Sequence, residues 1–400
     1  MNELTPQGQL PTAAPATVED LTFHGSTTPT LGVELELQIL DRESGDLTPG
    51  AVRILKLCEE EKVEGVSAEL MQSMFEIKTG VCHSVHEVRE QLLPRLRKTR
   101  ALAASLGFEL AMGGTHPFHR SGTSAVFPAE RYERIMERLA WLTYQRVVFG
   151  LHIHVGVPGG DMAVAVSSLM VKYLPHLLAL SANSPFWQGV DTGLASGRAA
   201  LYALLPHSGV PLPFHKWKEF RTYCQVMRDC KAINSFKDIY WDIRPRPDFG
   251  TLEFRICDMP PTLSLTMAIV ALTRCLVISC LNLLKDRPAV RRGDARRHWI
   301  AGENKWLATR YGLGALYIRT PAGKRRPLKK DLAELVERML PIASSHGDET
   351  FLAPLQNLDK FESGADAART LFRQTGNWRA LTDAMIRRFA DELDGVKYEG

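Results

Sequence analysis

Residues 30–40 read TLGVELELQIL, and apolar side chains alternate with polar ones along this stretch. The odd positions from Leu31 to Ile39 are all apolar, whereas Glu34 and Glu36 occupy even positions. A period of two residues is typical of a β-strand with one apolar and one polar face. We therefore predict a strand here, with Glu34 and Glu36 side by side on its polar face.

The same alternation recurs in three further segments, SMFEIKT at 73–79, GLHIHVGV at 150–157 and TLEFRIC at 251–257. Their paired positions are Met74 and Glu76, His152 and His154, and Glu253 and Arg255. The residues between the paired positions of the four segments are apolar, namely Leu35, Phe75, Ile153 and Phe254. If the four strands are neighbours, their polar faces form a cavity floor rich in carboxylates and imidazoles, and helices cover the apolar face.

The rest of the chain predicts an α+β fold, with helices packed on one face of a mainly antiparallel sheet. Helices are predicted over 50–62, 84–106, 129–149, 162–180, 263–284, 303–311, 328–345 and 366–393, and further strands over 108–112 and 239–244. No internal repeat or domain linker is evident. We expect a disordered tail over residues 1–28 and one catalytic domain over residues 29–400.

Composition narrows the class of protein. The formal net charge of +4 with 24% charged residues is too weakly basic to favour a nucleic-acid partner. Seven cysteines without CxxC spacing predict a reduced, cytoplasmic protein without a zinc site or disulfide framework. The apolar stretch 263–284 is long enough to span a membrane, but Arg274 at its middle favours a helix buried in the core.

A cluster of carboxylates is unfavourable without cations, because like charges in a partly desolvated site repel. Oxygen ligands suit magnesium or manganese, and nearby arginines match phosphate and carboxylate groups. The combination indicates phosphoryl transfer. The motifs GxxxxGK[ST], GxGxxG and HExxH are absent, so metals and arginines would have to hold a nucleotide. Taken singly, an alternating Glu more often marks a solvated sheet face, and His152 and His154 alone would more often be structural than metal ligands; the joint occurrence on four strands favours a site.

Six segments resemble the carboxylate–amine ligases of the glutamate–cysteine ligase type 2 family. They are TLGVELELQILD, ELMQSMFEIKTGVC, GTHPF, FGLHIHVGV, IYWDIRPRPDFGTLEFRICD and ENKWLATRYG, and they follow one another between residues 30 and 314. The fifth, residues 239–258, is the most specific. The C-terminal helices are less diagnostic, and the N-terminal tail has no counterpart.

The resemblance implies a fold similar to the catalytic domain of glutamine synthetase, an antiparallel sheet funnel with helices outside. It also implies ATP, magnesium and a γ-glutamyl-type ligation through an acyl phosphate, with a glutamate-like acid and cysteine or another amine as small-molecule partners. The acid, the amine and the oligomeric state stay open, with a homodimer as the working expectation. The alternatives are a metal-dependent small-molecule kinase of the same fold and a non-catalytic, ligand-binding relic.

The resemblance also implies roles for individual residues. The metal ligands would be Glu34, Glu36, Glu69, Glu76, His152 and Glu253, with His154 left open. Arg255 would neutralise the transferred phosphoryl group, and Arg244 would hold a phosphate or the acyl phosphate; together with Glu76 they form the predicted catalytic set. The alternative for Arg244 is a salt bridge to Asp242 or Asp248.

Two more residues are predicted to bind substrate on the same grounds. Arg198 would hold the substrate carboxylate, with a surface arginine as the alternative. His116 begins a His-Pro loop that would close over the substrate, with a structural turn as the alternative.

Overall fold

The structure is a computed structural model that describes residues 21–287 and 295–395. Most of the predicted tail, residues 1–20, lies outside the described residues. Residues 21–28 form no helix or strand, but Leu21 is buried and its carbonyl accepts a hydrogen bond from Trp217 Nε1 at 2.9 Å. The assignment of residues 29–400 to one domain stays a prediction.

Among the described residues, the strands form one seven-stranded sheet and three two-stranded sheets. They are β1 (Leu31–Asp41), β2 (Val66–Ala68), β3 (Met74–Lys78), β4 (Phe108–Ala111), β5 (Gly150–Gly156), β6 (Phe186–Trp187), β7 (Val190–Asp191), β8 (Ser208–Gly209), β9 (Tyr240–Trp241), β10 (Ile243–Arg246), β11 (Thr251–Asp258), β12 (Leu316–Ile318) and β13 (Arg325–Pro327). The main sheet has the order β10-β11-β5-β1-β3-β2, and β4 pairs with the far end of β1. All of its pairings are antiparallel.

The α-helices surround this sheet. They are α1 (Ala51–Glu60), α2 (Val85–Ser105), α3 (Glu130–Leu139), α4 (Gly160–Met170), α5 (Leu174–Ser181), α6 (Gly197–Tyr202), α7 (Trp217–Asp229), α8 (Leu263–Asp286), α9 (Ala295–Tyr311), α10 (Leu328–Ser345), α11 (Gly364–Thr375) and α12 (Trp378–Asp394). Helices α2, α4, α5 and α8 pack against the apolar face of the sheet. The predicted α+β class, with helices on the outer face of an antiparallel sheet, is confirmed.

The apolar face of the sheet is the centre of the core. Leu35, Phe75, Ile153 and Phe254, the residues between the polar pairs, are all fully buried. Burial of each such side chain contributes about 1.5–3 kcal/mol relative to exposure. A shift of β1 by one residue would therefore move its apolar set out of the core, which fixes the register.

Helix α8 is apolar around most of its circumference and lies inside the core. Gly160–Ser181 and Leu263–Asp286 are both long and apolar enough to span a membrane, yet 83% and 78% of their most apolar windows are buried within the fold. Such burial is typical of helices that form a protein's own core. In α8, Arg274 Nη1 donates to Asp348 Oδ2 at 2.7 Å, and Arg274 Nη2 donates to the His83 carbonyl at 2.6 Å.

Three predicted helices are interrupted in the structure. The segment 162–180 is divided by a 3₁₀ turn at Val171–Tyr173, because Pro175 has no N–H to continue the α-helical ladder. The segment 366–393 is divided at Gly376, whose φ of 59° is the left-handed conformation that ends helices. The segment 129–149 is helical only to residue 139, and a 3₁₀ helix, Ala140–Arg146, follows it.

The Arg274–Asp348 pair gives a testable stability prediction. Both side chains are buried, and Asp348 Oδ1 also accepts from the Val85 N–H at the start of α2. Replacing Arg274→Met leaves this carboxylate buried without its cation, so the free energy of unfolding in urea should fall by about 3–5 kcal/mol.

The matched control is Arg100→Met, which removes an exposed pair with Asp394. Its cost should be about 0–1 kcal/mol. Equal costs for the two variants would contradict the structural role assigned to the buried pair.

Candidate active site

The register of the sheet brings the predicted site residues together. Glu34 lies opposite His152, Glu36 lies opposite Glu76, and Glu253 lies opposite His154 on one side and Arg244 on the other. All of these side chains except that of His154 line a cleft of about 310 Å³. Its charged and phenolic lining is Glu34, Glu36, Glu69, Glu76, Glu253, His152, Lys78, Lys237, Arg131, Arg146, Arg244, Arg246, Arg255, Tyr132, Tyr202 and Tyr240.

A second cavity, of about 270 Å³, is lined mainly by residues of α11, α12 and the loops at 112–117 and 183–186. Its charged lining residues are Glu362 and Arg388. The carboxylate and imidazole cluster thus belongs to the first cleft.

Glu34, Glu36, Glu69 and Glu76 form the acidic end of the cleft, and Glu34 is its centre. Its carboxylate lies 3.1 Å from His152 Nδ1 and 3.3 Å from His154 Nε2. Two sets of three side chains bring their ligand atoms within 4.8 Å of one another, Glu34 with His154 and Glu253, and Glu34 with Glu76 and His152. His154, left open by the sequence, therefore lies as close to a candidate metal position as His152 does.

The carboxylates at the acidic end of the cleft lie close enough to repel one another. Burial raises the pKa of Glu76 well above its ordinary value, and the carboxylates of Glu34 and Glu69 raise it further. Burial likewise raises the pKa values of Glu36 and Glu69. Only Glu34 among these four has a lowered pKa, because its hydrogen bonds with His152 and His154 outweigh the effect of burial.

The donor set fits a divalent cation. Carboxylate oxygens with one or two imidazoles suit magnesium or manganese. Burial and the nearby Arg255 lower the pKa of His152 to about 4, so its imidazole is neutral at physiological pH, as metal ligation requires. His152 Nε2 is buried and has no hydrogen-bond partner among the described residues. A bound cation would offset the repulsion among the carboxylates and give this nitrogen a partner.

Glu253 is held by three arginines. Arg244 donates through Nε at 2.8 Å and Nη2 at 3.1 Å, Arg246 Nη1 lies 3.5 Å away, and Arg255 Nη1 also donates. Burial alone would raise the pKa of Glu253, but the arginines, Arg244 first, hold it well below the ordinary value. The carboxylate is therefore charged and fixed in orientation.

Arg244 lies in the cleft wall with all of its donor nitrogens engaged. Besides Glu253, it donates through Nη1 to the carbonyls of Lys237 and Ile239. The alternative of a bridge to Asp242 or Asp248 is wrong, because Lys305 pairs with Asp242 at 2.7 Å and Arg246 with Asp248 at 2.9 Å. The predicted phosphate contact of Arg244 stays a prediction, and its observed partner is Glu253.

One donor nitrogen of Arg255 has no hydrogen-bond partner among the described residues. Its Nη2 donates to Tyr202 Oη at 2.5 Å and its Nη1 to Glu253, while Nε is buried without a partner among the described residues. Arg255 is therefore fixed in position and has one buried donor without a partner among the described residues.

Arg198 and His116 lie outside the cleft lining. Arg198 is 2% exposed, which excludes the surface alternative, and both of its terminal nitrogens donate to the Arg255 carbonyl at 3.2 Å. A Cβ on Gly150 would lie 2.1 Å from Arg198 Nη2, so a larger residue there would displace this guanidinium. His116 is buried, with Nε2 2.9 Å from the Gly45 carbonyl. Their roles in substrate binding stay predictions.

Several cleft residues were missed by the sequence reasoning. Arg146 ends the 3₁₀ helix before β5, Tyr202 ends α6, and Tyr240 lies on β9. None belongs to an alternating polar pair on the main sheet. The signal that could have found Arg146 is its position four residues before the GLHIHVGV strand, where the chain enters the sheet.

The comparisons with known proteins agree with this geometry. The sequence profile described as Glutamate-cysteine ligase family 2 (GCS2) matches residues 30–386. A protein of Thermobifida fusca, provisionally named glutamate–cysteine ligase 2, is 37% identical over 371 residues, 92% of each chain. A Frankia alni protein with the provisional name glutamate–cysteine ligase 2-1 is 40% identical over 326 residues, 80% of this chain and 84% of its own.

Solved structures support the fold. The glutamate–cysteine ligase of Francisella tularensis, solved in complex with AMP, superposes with a TM-score of 0.68 at 14% identity over 94% of this chain and 91% of its own. The bifunctional glutathione synthetase of Pasteurella multocida gives a TM-score of 0.64 at 14% identity, over 92% of this chain and 52% of its own.

The shared position of Glu34 in both candidate ligand sets predicts how cation binding responds to substitution. Glu34→Gln should weaken Mn²⁺ binding at both positions, by more than about tenfold, because it removes a charged ligand from each. Glu76→Gln should weaken one position only. Electron paramagnetic resonance of free Mn²⁺ during titration measures both affinity and stoichiometry.

The control for this titration is Glu60→Gln on α1, an exposed carboxylate that pairs with Lys56 and does not line the cleft. It should bind Mn²⁺ as the unmodified protein does. Unchanged binding by Glu34→Gln would show that the cleft carboxylates do not hold the cation.

Proposed function

This chain belongs to glutamate–cysteine ligase family 2, and we propose that it is an ATP-dependent ligase that joins a glutamate-like carboxylate to an amine, cysteine or another, through an acyl phosphate. The observation that carries the proposal is the cleft itself. It combines two three-residue groups of candidate metal ligands with a buried guanidinium that has a free donor. Such a site can neutralise a polyphosphate and orient it toward an acceptor.

The proposed reaction has two steps. An oxygen of the acid's carboxylate attacks the γ-phosphorus of ATP, the bond from that phosphorus to the β,γ-bridging oxygen breaks, and ADP leaves. The amine nitrogen then attacks the carbonyl carbon of the acyl phosphate, the carbon–oxygen bond to phosphate breaks, and the nitrogen loses a proton. The products are the amide, ADP and inorganic phosphate.

The carboxylates of the cleft would hold magnesium or manganese. Glu34, His154 and Glu253 form one candidate set, and Glu34, Glu76 and His152 form the other. When bound, the cations would neutralise negative charge on the phosphate oxygens. Glu36 and Glu69 lie at the same end of the cleft, where their carboxylates can accept from metal-bound water.

The arginines of the cleft divide into two kinds. Arg255 can donate from its free Nε to the transferred phosphoryl group, where charge must be stabilised as the bond to ADP breaks. Arg244 acts as a positioning residue, because its Nε and Nη2 donate to the two carboxylate oxygens of Glu253 and fix their orientation. Tyr202 in turn fixes Arg255 through its hydroxyl oxygen.

We also propose a cytoplasmic homodimer in which residues 29–400 act as one catalytic domain. The family match covers residues 30–386, and the seven cysteines are all free thiols, as expected in a reducing compartment. Sedimentation velocity measures the assembly.

The reaction predicts a specific dependence of ADP release on substrates. In a panel of amino acids crossed with amines, ADP release with Mg²⁺–ATP should require an acid and increase with an amine. Hydroxylamine in place of the amine should trap a hydroxamate, because it attacks the acyl phosphate. If no acid in a broad panel stimulates ADP release, the ligase is refuted, and a stable phosphorylated product without amide would identify a kinase instead.

Glu76 is predicted to be essential while contributing little to folding. Glu76→Gln removes a cation ligand and relieves repulsion, so ligase turnover should fall by about 10²–10³-fold while the melting temperature stays equal or rises. Glu60→Gln serves again as the control and should retain turnover. Turnover of Glu76→Gln within threefold of the unmodified protein would exclude the metal role.

A further inference from the structure

Strand β11 is irregular where it carries Arg255. From Phe254 to Cys257, β11 advances three residues. Over the same stretch its neighbour β5 advances only two, from Ile153 to Leu151. One extra residue in one strand is a β-bulge, which interrupts the ladder of hydrogen bonds and changes the direction of nearby side chains. The backbone at Arg255 is therefore not held by a regular ladder alone.

Beyond the bulge, the side chains of β11 change faces. Glu253 and Arg255 line the cleft, and strict alternation would place Cys257 on the same face. Instead, the Cys257 thiol donates to the Leu177 carbonyl of α5, a helix on the apolar face of the sheet, with the two atoms 3.9 Å apart. Asp258 therefore points to the opposite face, the one that carries Arg255.

Asp258 anchors the start of helix α6. Its two carboxylate oxygens accept from Ser184 Oγ at 2.6 Å and from Ser196 Oγ at 2.7 Å. Ser196 is the N-cap of α6, and the Arg198 N–H of its first turn donates to Ser184 Oγ at 3.0 Å. The aspartate and both serines are fully buried. A buried network with its members satisfied is rigid, so the first turn of α6 is fixed relative to the end of β11.

Helix α6 then contacts Arg255 at both of its ends. Arg198 Nη1 and Nη2 donate to the Arg255 carbonyl, each at 3.2 Å. Tyr202 Oη accepts from Arg255 Nη2 at 2.5 Å. Arg198 and Tyr202 are four residues apart, so their side chains lie on the same face of the helix. One helical turn thus holds both the backbone and the guanidinium of Arg255.

We propose that α6 positions the Arg255 guanidinium for phosphoryl transfer, and that Arg198 and Asp258 are positioning residues although neither lines the cleft. We call this arrangement, Arg198 and Tyr202 of α6 anchored through Asp258, the α6 clamp. The inference rests on the proposed ligase function, in which Arg255 stabilises the transferred phosphoryl group. A displacement of about 1 Å at a reacting centre can lower the rate by about 10²-fold, so the clamp contributes to turnover.

Arg198→Met tests the clamp, because it removes both donors to the Arg255 carbonyl and leaves an unbranched side chain in the same place. In steady-state ADP release, kcat should fall by about 10–100-fold, whereas KM for ATP, acid and amine should change by about threefold at most. Arg198→Lys retains one donor group and should recover part of kcat. A KM for the acid raised by more than about tenfold at unchanged kcat would overturn the proposal and assign Arg198 to the substrate carboxylate.

Asp258→Asn is a second variant that keeps the shape of the side chain. It replaces one acceptor oxygen with a donor group, so one serine hydroxyl loses its partner and α6 is less firmly anchored. Its kcat should fall by about tenfold with all KM values kept within about threefold. An unchanged kcat would remove Asp258 from the clamp and contradict the proposal.

The matched control is Arg274→Met, which also removes a buried arginine but one that bonds to Asp348, Pro29 and His83 instead of β11. It should lower the melting temperature yet retain kcat, measured where all variants are folded. Equal losses of kcat in Arg274→Met and Arg198→Met would show that turnover follows stability, and would refute the clamp.

A spectroscopic measurement separates the clamp from the reaction. In protein labelled with ¹⁵N-arginine, the Nε–H signal of Arg255 is identified by its loss in Arg255→Lys. Exchange of this proton with water should be faster by about tenfold in Arg198→Met and in Asp258→Asn, but unchanged in Arg274→Met, because only the first two loosen the clamp.

Two outcomes of this measurement are decisive. If no acid stimulates ADP release but the faster exchange is found, the ligase is refuted and the clamp stands. An Arg255 signal that exchanges equally slowly in Arg198→Met and in the unmodified protein refutes the clamp, whatever the reaction.

Discussion

The pairing register of β1 is the constraint on which the cleft depends. This strand pairs with β3 on one side and with β5 and β4 on the other, and its odd residues are buried under helices. Burial fixes the register, since a slip of one residue would expose the apolar set. The same register places Glu34 opposite His152 and Glu36 opposite Glu76. The apolar core therefore holds together carboxylates that would otherwise repel one another.

Opposed charges divide the cleft into two regions. At one end, burial raises the pKa values of Glu76, Glu69 and Glu36, and neighbouring carboxylates raise those of Glu76 and Glu69 further, an arrangement that bound cations would stabilise. Next to Glu34, by contrast, Glu253 is charged because arginines surround it. A polyphosphate with its cations would complement both regions. The buried carboxylates of the cleft thus repel one another, and bound cations would relieve this repulsion.

The sequence predicts what local patterns control. The two-residue alternation identified the strands and their polar faces correctly, because side-chain direction in a strand is a local property. Helix interruptions at Pro175 and Gly376 carried local signals that the apolar pattern obscured. Partners joined by long-range packing were beyond local patterns, as when Arg198 bonds to the carbonyl of a residue 57 positions later. Arg146 was missed for the same reason, since the fold and not a local pattern brings it into the cleft lining.

The central claim is that phosphoryl transfer activates a carboxylate over the acidic face of the sheet. The most direct test follows an oxygen atom from that carboxylate to inorganic phosphate. The acid that stimulates ADP release would be labelled with ¹⁸O in its reacting carboxylate and incubated with Mg²⁺–ATP and amine. An acyl phosphate passes one of these oxygens to phosphate when the amine displaces it. Mass spectrometry should therefore find one ¹⁸O atom in the inorganic phosphate for each amide formed. Amide formation with unlabelled phosphate would contradict the account.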